Sequence, residues 1–211
     1  MSRPAASLAA ATVALSAAFD GLATADWQRP VHGGGTLSGL AADLAGRLER
    51  LTGLAAPAAD AGPAQPTAEQ ADRLDRTGCV RLLGLPGKAT EPAGGAAEGQ
   101  DLALPRLHAA ATAAMTAVDA HAGDTPVTVD GHTAWLADAA DATTFAVVIG
   151  HIDAAAALEV PALIPPAPGR LAAAICEDAL VGLRPRAMGR MRLLKAATGR
   201  IAIEDDRFPL W

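Results

Sequence analysis

Few side chains in this sequence are spaced to do chemistry, and the first of them is Asp43. It stands four residues before Arg47 on a stretch striped with leucine, so the two groups can meet on one helical face as an ion pair. The alternative is a carboxylate turned into an apolar cleft. Desolvation there raises its pKa and fits it for proton transfer or for holding a substrate cation. His151 is a second candidate for acid–base work. His32, beside Gly33-Gly34-Gly35, is a third, in a loop where an imidazole can titrate or touch substrate. Against these readings stand a packed interior histidine for His151 and a solvated loop residue for His32. His108 and His121 flank a helical stripe and form no pattern.

Other chemistries have no motif behind them. None of the four serines lies in a GxSxG elbow, and the glycine run at Gly33 is followed by neither GK[ST] nor GxGxxG, so it is no phosphate loop. Cys79 and Cys176 are too far apart in sequence for a CxxC pair, a zinc knuckle or a disulfide framework, which suits a reducing cytoplasm. Arg184, Arg186, Arg190, Arg192 and Lys195 could receive an anionic substrate or a thiol cofactor, although a solvated helix face explains them more simply. The formal net charge of −6 and the lack of any other basic stripe argue against a nucleic-acid partner. No apolar run approaches the roughly 20 residues of a membrane span. The uncharged stretch from Ala5 to Phe19, mostly alanine behind a single Arg3, reads as a docking helix rather than a leader.

The elements that would position these groups are helices. The chain has 211 residues, long enough to bury a core, and its apolar stock is alanine, leucine and valine with three Phe, three Trp and no Tyr. That stock packs helices closely and is poor material for an aromatic-rich sandwich. The spacing predicts helices over about 5–23, 36–54, 67–83, 106–122, 133–158, 170–183 and 186–198. The second carries Leu37, Leu40, Leu44, Leu48 and Leu51 on one stripe. Thr67-Ala68-Glu69-Gln70 has capping-box form for the third, and Pro161 stops the fifth. Val127-Thr128-Val129 and Ile201-Ala202-Ile203 alternate and could pair as a small ribbon.

Three stretches resemble the DinB-like, mycothiol-dependent maleylpyruvate isomerase group. Gly21 to Pro30, containing Asp26-Trp27-Gln28-Arg29-Pro30, then a short loop and Thr36 to Leu44, look like that group's opening. Val148 to Pro161, with His151 and Asp153, resembles its Glu-x-x-x-His-x-x-Asp helix and Gly-Val-Pro end. Leu193 to Arg200 with Phe208-Pro209-Leu210-Trp211 is similar to its ending. The resemblance implies an all-α antiparallel four-helix bundle over 1–160, with 161–211 as a helical extension packed on it and a ligand cleft between helices.

In the resembled group two His and one Glu hold a divalent metal, typically zinc, that activates a thiol such as mycothiol or a water. Placing this chain without gaps on Asp153 and Pro161 puts Ala146 at the Glu, Gly150 at the second His and Asp43 at the first His. Asp43 is then the one remaining donor. His151 lies one residue away from the second His, about 100° around the helix. No tightly bound zinc is expected, and mycothiol or a metal enters only through the resemblance. Ala146, Gly150 and Asp153 share a helical face. With Trp27 they would line a substrate hollow, or the small residues would let helices close together and Asp153 would be a buried structural carboxylate.

Three functions follow as expectations. One is a cytoplasmic, metal-free small-molecule isomerase, transferase or lyase using Asp43 with His151 or His32. The second is a non-catalytic binding or interaction protein on the same fold, and the third a mycothiol-dependent enzyme with an unusual metal site. A small-molecule substrate is common to the catalytic readings, and a homodimer is compatible with all three. An open cleft lined by titratable groups would favour the first; a cleft filled by side chains would favour the second.

Overall fold

A computed structural model describes residues 2–56, 73–86, 100–180, 188–205 and 207–210. The described chain is mostly helical: α1 (Arg3–Phe19), α2 (Leu37–Ala55), α3 (Arg76–Leu83), α4 (Gln100–Asp119), then β1 (Pro126–Val129) and β2 (His132–Trp135), then α5 (Leu136–Ala157), α6 (Pro166–Ala179) and α7 (Arg190–Ala197). A short 3-10 turn, Asp26–Gln28, lies between α1 and α2. No described helix is long and apolar enough to cross a membrane.

Local chemistry explains where these elements begin. The Thr36 hydroxyl accepts from the Gly39 amide at 3.2 Å and caps α2, and the Asp75 carboxylate accepts from the Gly78 amide at 2.7 Å and caps α3. Pro166 opens α6, where its missing N–H costs nothing. The predicted leucine stripe of α2 is the buried one: Leu37, Leu40, Leu44, Leu48 and Leu51 are all at most 3% exposed. That stripe packs on α4 and α5, while α1 packs on α5 and α4, so the four longest helices make a closed ring of pairwise contacts. Within it α5 is buried on every side, touched by α1, α2, α3 and α6, as its nearly continuous apolar sequence requires. α6 also reaches α1 and α3, and α7 rests on α6.

The sheet differs from the sequence expectation. Val127–Val129 pairs not with Ile201–Ile203, which is irregular, but antiparallel with the residues just ahead of α5, Val129 opposite His132. The turn is Asp130-Gly131, both with positive φ, 48° and 84°. Those angles are what a two-residue hairpin with the right twist demands. The long helix accordingly starts at Leu136 rather than Thr133. Helix boundaries elsewhere move by a few residues: α1 ends at Phe19, α4 starts at Gln100 and ends at Asp119, leaving Ala122 exposed beyond it, and α6 begins at Pro166. The Thr67 capping box lies outside the described residues, and α3 starts at Arg76 behind its Asp75 cap.

Candidate functional site

Positions 43, 146 and 150 are the ones the resemblance would bring to one metal. On α5, Gly150 faces α2 so closely that a Cβ at this position would lie 2.6 Å from Leu44 Cδ1. Leu44 is fully buried. The α2 residue against Gly150 is thus Leu44, and Asp43 is turned about 100° from it around the helix. Asp43 is half-buried and bonds Arg47, whose Nε donates to its Oδ2 at 3.0 Å. Arg47 in turn donates from Nη1 to the Leu83 and Gly84 carbonyls at 2.7 and 2.8 Å and from Nη2 to Leu85 at 3.2 Å. The first two are orphan carbonyls at the end of α3, and Leu85 follows directly after it. The Asp43–Arg47 pair therefore fastens α2 to α3.

Ala146 is buried at the edge of a notch between Arg47, Leu83 and Thr143, of about 20 Å³. That is room for about one water, far below the ~300 Å³ of a metabolite pocket. The donor set does not fit a divalent metal: Ala146 and Gly150 carry no ligand atom, Asp43 is engaged by Arg47, and Leu44 fills the space a side chain at 150 would need. Among the described residues no three His, Cys, Asp or Glu side chains gather as ligands.

Because Arg47 closes α3 and Asp43 only steadies Arg47, the two substitutions should differ. Asp43→Asn is expected to lower stability by less than about 1 kcal/mol, the worth of a partly exposed pair. Arg47→Met should lower it by about 1.5–3 kcal/mol through its lost charged hydrogen bonds. Urea midpoints of the two variants check the order, and an equal loss would contradict the assignment of Arg47 as the cap.

Asp153 lies one helical turn beyond Gly150 and is 2% exposed. Arg200, after α7, holds both carboxylate oxygens with one edge of its guanidinium: Nε to Oδ1 at 2.8 Å and Nη2 to Oδ2 at 2.6 Å. The same guanidinium donates to the carbonyls of Thr198 at 2.7 Å and Pro86 at 3.3 Å. Burial pushes the Asp153 carboxyl up and Arg200 works against that. The guanidinium keeps its proton, so the Asp153 carboxyl always faces a fixed positive charge. His32 is exposed, near enough for its charge to favour the Asp153 carboxylate. His151 is buried, and burial alone lowers its imidazole pKa, leaving it neutral at pH 7. Trp27, 2% exposed, packs its ring on Phe19 with centroids 5.3 Å apart.

The structure therefore joins Asp153 to Arg200, with His32 nearby, and Asp43 to Arg47; Gly150 meets Leu44. Sequence reasoning assigns Asp141 no role, yet burial pushes its carboxyl up to about 6, Asp138 adding to the rise while Arg76 and Arg3 oppose it. The sequence signal was there: Asp138 and Asp141 are carboxylates spaced for one face of an otherwise apolar helix. Asp141 is nine residues before Gly150, half a turn around α5, and so points away from α2.

A raised folded pKa means that the native state binds the proton more tightly than the unfolded chain. Stability contributed by Asp141 is thus present below pH 3.8 and falls away as pH rises to about 6. Asp141→Asn should stabilise the protein by roughly 1–3 kcal/mol at pH 7 after solvent screening, and by almost nothing at pH 3.5. Denaturant midpoints across that range test this; a gain independent of pH would show that the carboxyl is not desolvated.

Comparison with known proteins returns no matching family model, curated protein or solved structure.

Proposed function

We propose that this chain is a non-catalytic ligand-binding or interaction protein, built on the four-helix bundle of the DinB-like group with α6 and α7 as its extension. The observation that carries the reading is the packing of Leu44 onto Gly150, which fills the space that a side chain at position 150, the second-His position under the resemblance, would need. The commitment of Asp43 to Arg47 and of Asp153 to Arg200 supports it, since neither carboxylate is left to take a proton from a substrate. A reducing cytoplasm suits the two buried thiols, both unpaired, with Cys79 pushed up to about 12 by burial and Cys176 raised likewise.

The test is recovery of ligand. A metabolite library is screened for compounds that raise the thermal midpoint, and each one found is incubated with stoichiometric protein and followed by NMR. The expected result is binding with the compound returned unchanged. Conversion that disappears in Asp43→Asn would overturn this reading in favour of a metal-free acid–base enzyme.

A further inference from the structure

Arg190, the first residue of α7, borders a groove of the described structure. This groove, of about 160 Å³, runs between α6 and α7 and is lined by Ala162, Ile164, Gly169, Met191 and Leu194 with Arg190. In the segment leading into α6, Val160 and Leu163 are 50% and 78% exposed. Gly169 keeps the wall low on the α6 side, where the Arg190 stem lies 3.8 Å from the position of its absent Cβ. Arg190 is exposed and forms no ion pair among the described residues, and α7 holds Arg190, Arg192 and Lys195 with no carboxylate. In a chain of net charge −6 this is a local reversal of sign.

We infer that the groove between α6 and α7 binds a small apolar carboxylate, ring or branched chain against Met191, Ile164 and Leu194 and carboxylate on Arg190. The inference rests on the proposed binding function and names its ligand class. The size follows from volume: a cavity of about 150 Å³ accommodates a benzene ring. The charge follows from complementarity, because a guanidinium receives a carboxylate through two parallel N–H donors. The positive end of α7 adds a field of the same sign at the same rim.

Phenylacetate is the probe, with uncharged phenylacetamide as its isostere, each titrated into the full chain and followed by amide NMR shifts. Shifts from phenylacetate should be confined to Ala162–Gly169 and Arg190–Leu194, and phenylacetamide should bind roughly tenfold more weakly, as the loss of a charged hydrogen-bonded pair requires. Arg190→Gln, folded by its thermal midpoint, should bring phenylacetate down to the affinity of the amide and leave the amide unchanged. No shifts in the groove, or equal binding of acid and amide, overturns the inference and leaves the non-catalytic reading standing. Chemical change of phenylacetate on the protein would overturn that reading instead, so the two failures are separate.

Discussion

Leu44→Ala is expected to lower the unfolding free energy by about 2–5 kcal/mol, the range for a fully buried leucine that leaves a cavity behind. Its more telling consequence is at Gly150. Alone, Gly150→Ala should gain nearly 1 kcal/mol of helix propensity in the middle of α5. A methyl at 2.6 Å from Leu44 Cδ1 forces Leu44 out of its place, however, and overpacking of this kind costs about 1–3 kcal/mol. The single variant should therefore be destabilised. In the Leu44→Ala background the obstacle is gone, the new methyl enters the vacated space, and Gly150→Ala should become stabilising. Urea unfolding of the wild type, both single variants and the double variant measures the coupling, which should exceed about 1 kcal/mol for residues in direct contact. Effects that add to within about 0.5 kcal/mol would mean that α2 and α5 do not meet at these positions, and the argument for a filled centre would fall with them.

Arg200→Met should be at least as damaging, by about 3–5 kcal/mol, because it leaves the Asp153 carboxylate buried without its partner. The loss should depend on pH with a definite sign. Unpaired, Asp153 keeps the rise in pKa that burial imposes and loses the opposing pull of Arg200. Its protonation then relieves the variant, so the deficit should be greatest near pH 8 and shrink as pH falls toward the carboxylate range. The double variant Arg200→Met, Asp153→Leu should recover much of the lost stability, since apolar packing often replaces a buried pair without penalty. Hydrogen exchange adds a spatial check: amides of α7 and of 199–205 should lose protection in Arg200→Met, because the pair is what ties that segment to α5. A pH-independent deficit of under about 1 kcal/mol would show that the pair is solvated.

The helices and their buried faces were legible because the information is local. Leu37, Leu40, Leu44, Leu48 and Leu51 recur at the helical period, and Thr36 supplies the cap, so the start of α2 and its inward side follow from neighbours within one or two turns. The hairpin was equally local, in Asp130-Gly131 between two alternating runs, but the flanking helical alanines drew Thr133 into the wrong element. The Asp43–Arg47 pair was visible as four-residue spacing. What the sequence determined by itself was thus a helical chain, the start of α2 at Thr36, the leucine stripe and the candidate carboxylates, whereas the Asp75 cap of α3 was not among its readings.

Tertiary structure alone decided how those faces meet. That Leu44 rather than Asp43 lies on Gly150 depends on the rotation and axial offset of α2 against α5, and a shift of one residue along either helix would exchange the two. Asp153 and Arg200 are 47 positions apart, and Arg47 reaches carbonyls at the end of α3 that no periodicity connects to it. Asp141 acquires its raised pKa only because α5 is enclosed by other helices that remove water from it. Helical period fixes what each face carries over a few ångströms of its own chain; the register between faces comes from the whole core's side-chain shapes packing at once, and it is that register which fills the centre of this protein.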